Sequence, residues 1–265
     1  MIKKMSDEEY FAIDAISNSK LSAFSRCPAN IFTERESSPQ MNLGTLAHAM
    51  ILEGAEVFQK RFYAIPKTDR RTKEGKAAWE DAIKAAGNKT VITVDDLQMV
   101  SAMCDSVAAH PFAYELLTGG KPEIAITWDF EGTKCKAKAD YMKTTLHGSP
   151  MTVLVDLKTT QSCDIRKFSN KTIFDSGYDR QMAFYFDGLT ANMMAPQAVY
   201  IVAVENTKPF TCNVFDMTEC IERGRNRYMR LLRQYIGCKE SKSFPTYQYA
   251  GAYIVKPPVW MTDEG

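Results

Sequence analysis

Two charged residues, Asp156 and Lys158, stand in a segment otherwise built for a core: MTVLVDLKTT, residues 151–160. The run is rich in β-branched residues and follows the turn-like HGSP, which predicts a strand. Side chains alternate along a strand, so Asp156 and Lys158 share one face while Val153, Val155 and Leu157 share the other. Unlike charges on such a strand pair with each other or with neighbours, or hold a metal ion and a reacting group. The triplet (Asp/Glu)-x-Lys is expected about once or twice by chance in a chain this long. Glu74-Gly75-Lys76 and Glu240-Ser241-Lys242 also match it, but in polar segments where a solvated pair suffices. Asp156 differs by its strand context and by Asp140, which falls near the end of the preceding strand at KADYM. Two carboxylates on adjacent strands can converge on one hard divalent cation such as Mg²⁺ or Mn²⁺. The ammonium of Lys158 could then orient a water or steady a phosphate oxygen. No Cys/His set has zinc spacing, so the site would be one of carboxylates.

The elements that must position these groups change in texture along the chain. The 265 residues are 45% hydrophobic and 25% charged, the composition of an ordinary globular protein. A serine that can cap opens the predicted helix SKLSAFSRCPANIFTERE, with Pro28 as a break. MNLGTLAHAMILEGAEVFQKRF follows as an apolar helix. A polar, basic stretch then becomes helical. Asp95 or Asp96 is the expected cap of a further helix ending near His110. Beyond this, KPEIAITWDFEGTKCKAKADYMKT reads as a hairpin turning at EGTK, followed by the strand of Asp156. SGYDRQMAFYFDGLTANMM reads as a helix, QAVYIVAVEN and FTCNVFDMT as strands, and ECIERGRNRYMRLLRQYIGC as a closing amphipathic helix. The fold expected is α/β (α+β), a central mixed β-sheet flanked by helices in one domain. Its helical N-terminal part spans about 1–120, its core about 121–240 and its tail 241–265.

Composition narrows function only a little. The formal net charge is +1, so a polyanion site would be a local patch. Seven scattered cysteines fit reduced thiols. No apolar run approaches the roughly 20 residues of a membrane span, and the N-terminus lacks a secretory pattern, so no membrane partner and a cytoplasmic location are expected.

GTLAH (44–48), KADY (138–141), VDLK (155–158) and YDRQMAFY (178–185) occur in the order seen in the RecB-like branch of the PD-(D/E)XK nucleases. The opening ISNSKLSAFSRCPANIF resembles that branch too, and within it the chain is similar to the RecE-type exonucleases over about residues 10–240. The resemblance implies a restriction-endonuclease-like core. Asp140 and Asp156 would be metal ligands with the Leu157 carbonyl, Lys158 the catalytic lysine, and His48 a ligand or near-ligand of a second metal ion. Glu123, opening the hairpin, resembles a further acidic ligand. Gln181 and Tyr185 would line the site and touch DNA; Ser17, Ser19 and Lys20 would meet a 5′-phosphate, by analogy with lambda exonuclease. Two Mg²⁺ ions (or Mn²⁺) are implied, with 5′-to-3′ digestion of linear double-stranded DNA to 3′ single-stranded tails. A trimeric or tetrameric ring and a single-strand annealing partner in recombination are implied as well. Two features depart from the family: Ala139 replaces the proline before Asp140, and TTLHGSP lengthens the link between the carboxylate strands.

Each residue also has a plainer reading. His48 alone would be a core histidine, Asp140 a surface residue at a strand end, and Gln181 with Tyr185 a packed i, i+4 pair. Some relatives hold a [4Fe–4S] cluster at the position of Cys27, but Cys212, Cys220 and Cys238 lack the close spacing of its other ligands, so no iron–sulfur cluster is expected. Arg223, Arg227 and Arg230 recur on one helical face and, with Lys67, Arg70, Arg71 and Lys73, either track a phosphate backbone or form a solvated surface. The rival functions are an endonuclease of the same superfamily and a non-catalytic DNA-end-binding module.

Overall fold

The structure is a computed structural model that describes residues 1–33, 39–247, 252 and 254–256. The end of the first expected helix, 34–36, and most of the expected tail beyond 247 lie outside the described residues. The chain starts with β1 (Ile2–Lys4), α1 (Asp7–Ala12) and α2 (Asn18–Arg26), which stops before Pro28, whose ring cannot continue it, and a 3₁₀ turn follows. Next come α3 (Pro39–His48), α4 (Ala55–Arg61), β2 (Phe62–Ile65), α5 (Lys73–Ala86), β3 (Thr90–Thr93), α6 (Val94–Ala109) and α7 (Pro111–Leu116). The long strands β4 (Lys121–Phe130), β5 (Thr133–Leu146) and β6 (Ser149–Thr160) lead to the short α8 (Ile165–Lys167) and α9 (Ile173–Asp175). Then follow α10 (Tyr178–Thr190), β7 (Ala198–Glu205), β8 (Cys212–Asp216) and α11 (Ile221–Glu240).

Local chemistry accounts for several boundaries. The apolar helix expected over 41–62 is cut in two by Gly54, whose φ of 89° suits glycine, after a π-helical turn at Ala49–Glu53. The cap of α6 is Thr93, not Asp95 or Asp96: its hydroxyl accepts from Asp96 N while Asp96 reaches back, a capping box. The link TTLHGSP is no loop. It extends the β5–β6 hairpin to a turn at His147–Gly148, both with positive φ, and a register shift between Lys143 and Thr145 absorbs the extra length. The short strands β1, β2 and β3, which no periodicity marked, complete the set.

Six strands form the main sheet in the order β1-β4-β5-β6-β7-β8, antiparallel except for the parallel β6–β7 pair that brackets α10. β2 and β3 form a separate parallel pair. One core unites Ala137, Ala139, Leu154 and Ile201 with Met182 and Phe184 of α10 and Tyr228 and Leu232 of α11. The opposite core unites Tyr141, Val153, Val155 and Leu157 with Met103 and Val107 of α6. β6 is therefore covered on both faces, and Asp156, expected on a half-buried strand, is 0% exposed. No helix among the described residues is long and apolar enough to cross a membrane.

The sheet splits where the site lies. β5 pairs with β6 only up to Tyr141–Val155, so Asp140 and Asp156, next in register, face each other across diverging strands. On its other edge β5 pairs with β4 on both sides of Glu123 and Asp140, but not at that position. Ala139 and Met142 pack in the same core although three residues apart, so side-chain alternation slips between them. Opposite, Glu123 has φ 56°, a left-handed conformation that costs a non-glycine residue energy and concentrates at functional sites.

Candidate active site

The kink brings three ligand-type side chains together. One atom each of His48, Glu123 and Asp140 lie within 4.8 Å of one another. His48 ends α3, where helix–strand packing sets its ring against β6. Its Nε2 donates to the Leu157 carbonyl at 3.0 Å. That bond assigns the proton to Nε2 and leaves the Nδ1 lone pair facing Asp140 Oδ2 at 3.7 Å and Glu123 Oε1 at 4.0 Å. Asp140 Oδ2 also accepts from Leu157 N at 2.9 Å, which ties the diverging strands together. Lys138, two residues before Asp140, places Nζ 2.5 Å from Glu123 Oε2 and 2.7 Å from Asp7 Oδ1 of α1.

Asp156 and Lys158 stand next to this group but outside it. Asp156 Oδ1 accepts from Gln181 Nε2 at 2.9 Å, and Gln181 also approaches the Tyr185 hydroxyl at 3.2 Å. Asp156 Oδ2 is buried without a directed hydrogen bond and faces the Lys158 ammonium as an ion pair. That ammonium lies 4.9 Å over the ring of Tyr178, a cation–π contact from the first residue of α10. A cavity of about 950 Å³ opens on His48, Glu123, Lys138 and Asp140, between α1 and α3, whereas Asp156 and Lys158 do not line it. The expected metal pair, Asp140 with Asp156, is thus resolved into an open triad and a buried acid–lysine pair behind it.

The electrostatics fit a cation. Burial pushes the Asp140 carboxyl up to about 6, and Glu123 adds to the rise against the pull of Lys158. Burial likewise raises Asp156 to about 6, opposed by Lys158 and reinforced by Asp140. Burial and then Lys158 lower His48, so its imidazole is neutral and able to ligate. For Lys158, burial pulls the pKa down but Asp156, Asp140 and Tyr178 outweigh it, and the net shift is upward. Two carboxylates and a neutral imidazole, with a backbone carbonyl beside them, form a donor set for an oxygen-loving divalent ion.

The other expected site residues are placed differently. Ser17 caps α2 by accepting from Lys20 N at 3.3 Å, and its hydroxyl meets that of Ser19 at 2.8 Å. Ser17, Ser19 and Lys20 do not line the cavity. Beside them Arg180, 4% exposed, donates to Asn18 Oδ1 at 3.1 Å and to the Ser22 hydroxyl. Two of the three arginines of the α11 stripe have partners: Arg227 bonds the buried Asp179 at 2.6 Å, and Arg223 stacks on Phe174. Arg71 pairs with Asp69, Lys67 with Asp95, and Arg70 lies over Trp79. Sequence reasoning missed Lys138 and Tyr178. Their signals were weak: Lys138 sits at i−2 from Asp140, and Tyr178 opens the motif that holds Gln181 and Tyr185.

Comparison with known proteins agrees with the fold. The model of the family DUF3799, described as a PDDEXK-like domain of unknown function, matches residues 17–255. No curated protein matches the sequence. A crystal structure from Eubacterium rectale, of a protein described as a candidate exonuclease, superposes with a TM-score of 0.61 over 97% of this chain and 96% of its own. At 16% identity this likeness shows the fold alone. Another solved structure, SSO0001, is 14% identical over 74% of this chain and 86% of its own, and its TM-score of 0.30 carries no argument. With a family match over most of its length and a mixed sheet split at paired carboxylates, the chain belongs to DUF3799, a PDDEXK-like family of the nuclease type.

Proposed function

We propose that this protein is a Mg²⁺-dependent exodeoxyribonuclease that digests linear double-stranded DNA from 5′ to 3′ and leaves 3′ single-stranded tails for annealing-based recombination. The observation that carries the reading is the meeting of Glu123, Asp140 and His48 in an open cavity with Asp156 and Lys158 directly behind. His48, Glu123, Asp140 and the Leu157 carbonyl would hold the metal, with Asp156 alongside. When bound, a divalent ion polarises the phosphoryl group and acidifies water. The protein's own groups do the rest. Lys158, fixed by Asp156 and Tyr178, orients the attacking water and offsets charge on a phosphate oxygen. Water adds to phosphorus, the P–O3′ bond breaks, and the products are a 5′-phosphate and a 3′-hydroxyl. Gln181 holds Asp156 in register and, with Tyr185, lines the path of the strand. Ser17, Ser19 and Lys20, at the start of α2 and outside the cavity, are assigned to the terminal 5′-phosphate on the resemblance to lambda exonuclease. Polarity, the annealing partner and the ring assembly rest on the resemblance to RecE-type exonucleases.

The test is digestion of linear duplex labelled separately at each end, beside closed circular DNA. Mg²⁺-dependent loss of the 5′ label with the circle intact supports the proposal. Cutting of the circle turns the reading to an endonuclease, and binding of ends without cutting turns it to a DNA-end-binding module. Asp156→Asn keeps the Gln181 bond but removes the charge that holds Lys158, so it is expected to slow digestion on the order of 100-fold or more. Unchanged activity in the purified variant would remove Asp156 from the mechanism.

A further inference from the structure

Two ammonium groups face the carboxylates of the site. Lys158 lies on Asp156 behind the triad, and Lys138 lies on Glu123 at its open side. Lys138 lines the cavity together with His48, Glu123 and Asp140, and its side chain keeps 24% exposure. It also reaches Asp7 in the first turn of α1.

Lys136 shows by contrast what a purely structural lysine does here. Alternation puts it on the same face of β5 as Lys138, but it is 5% exposed. Its Nζ donates to the carbonyls of Tyr10 and Ile13 at 2.9 and 2.8 Å and lies 4.7 Å over the Tyr10 ring. That ammonium closes the C-terminal end of α1, and its donors are taken by carbonyls. The partners of Lys138 are instead two carboxylates, one of them in the triad. A part-buried carboxylate needs a positive partner, and a divalent cation placed on Glu123 would compete with Lys138 for the same oxygens. Released from Glu123, Lys138 remains tethered at Asp7 on the cavity wall, with donors free on a flexible stem.

We propose that Lys138 is a second lysine of the site, which neutralises Glu123 until a cation takes that carboxylate and then donates to a phosphate oxygen of the bound strand. The proposal rests on the nuclease reading above. Lys136 and the backbone bridge from Ile16 to Cys135 keep α1 in place without Lys138, so Lys138→Met should fold.

The experiment compares the full wild-type chain with Lys138→Met, Lys138→Arg and Asp7→Asn. Mn²⁺ binding is measured by calorimetry without DNA. Binding of a labelled duplex end is measured by fluorescence anisotropy in Ca²⁺ across a salt series. Expected are several-fold tighter Mn²⁺ binding by Lys138→Met, several-fold weaker DNA binding, and a salt slope reduced by about 1. Lys138→Arg should keep most of the DNA affinity, and Asp7→Asn should not tighten Mn²⁺. Mn²⁺ affinity unchanged or weakened in Lys138→Met, an unaltered salt slope, or tightening by Asp7→Asn would each overturn the inference. Should Lys138→Met fail to fold, Lys138→Gln carries the same measurements. A wild-type protein that binds Mn²⁺ competitively with Lys138 but never cuts DNA defeats the nuclease reading instead.

Discussion

At the scale of single residues, the site is defined by carboxylates held near the edge of ionisation. Asp140 and Asp156 both titrate near 6 rather than at the ordinary 3.8, because burial penalises their charge. An acid whose folded pKa exceeds its unfolded value binds more protons when folded, so its contribution to stability falls as pH rises from 3.8 to about 6. A cation that binds the ionised carboxylates offsets this loss. Mg²⁺ is therefore expected to raise the melting temperature more at about pH 7.5 than at about pH 5, read by scanning fluorimetry. Equal shifts at both values would mean the ion does not sit on these groups. Gln181 is a second test at this scale. Its amide donates to Asp156 at 2.9 Å, and Gln181→Leu leaves that buried oxygen without its donor, at a cost of about 1–3 kcal/mol. Urea unfolding measures it, and Gln181→Glu, which sets a second carboxylate against Asp156, should be worse than Gln181→Leu at neutral pH.

At the scale of elements, the split between β5 and β6 and the seating of α10 decide the geometry. α10 carries Tyr178, Gln181 and Tyr185 to the site, and α11 fixes α10 by close backbone approach. A Cβ on Gly224 would lie 2.1 Å from Asp179 O and 2.9 Å from the Ala183 side chain, so only glycine fits without displacement. Arg227 reinforces the contact by bonding Asp179 and the Phe174 carbonyl. Gly224→Ala is expected to cost about 1–3 kcal/mol by overpacking. It should also lower digestion more than its stability loss explains, because Gln181 and Tyr178 move with the helix. A variant of normal rate and lower urea midpoint would confine Gly224 to packing.

At the scale of the molecule, near-neutral charge and a local site belong together. The formal net charge is +1, and among the described residues several arginines are paired: Arg227 with Asp179, Arg71 with Asp69, Arg233 with Glu131. In the proposed ring, several copies arranged about a duplex would add their local positive charge together. On the proposed ring, light scattering after gel filtration should give three or four times 29.9 kDa. A monomeric mass with full activity would separate digestion from any ring.

The sequence by itself determined the central strand, the hairpin before it, α10 and α11, because alternation and helical periodicity act over a few neighbouring residues. The resemblance of its ordered motifs to the RecB-like branch also singled out Asp140, Asp156, Lys158, His48, Glu123 and Gln181. Their placement relative to one another was decided only in three dimensions. Glu123 enters the triad through a left-handed residue in β4, and Asp156 drops behind it because β5 and β6 part at Asp140. Lys138 and Asp7 meet although 131 positions apart, and no local pattern encodes such a pair. Periodicity tells which face a side chain takes. Which carboxylate stands in the open and which is buried depends on where strands separate, and that is a property of the packed sheet.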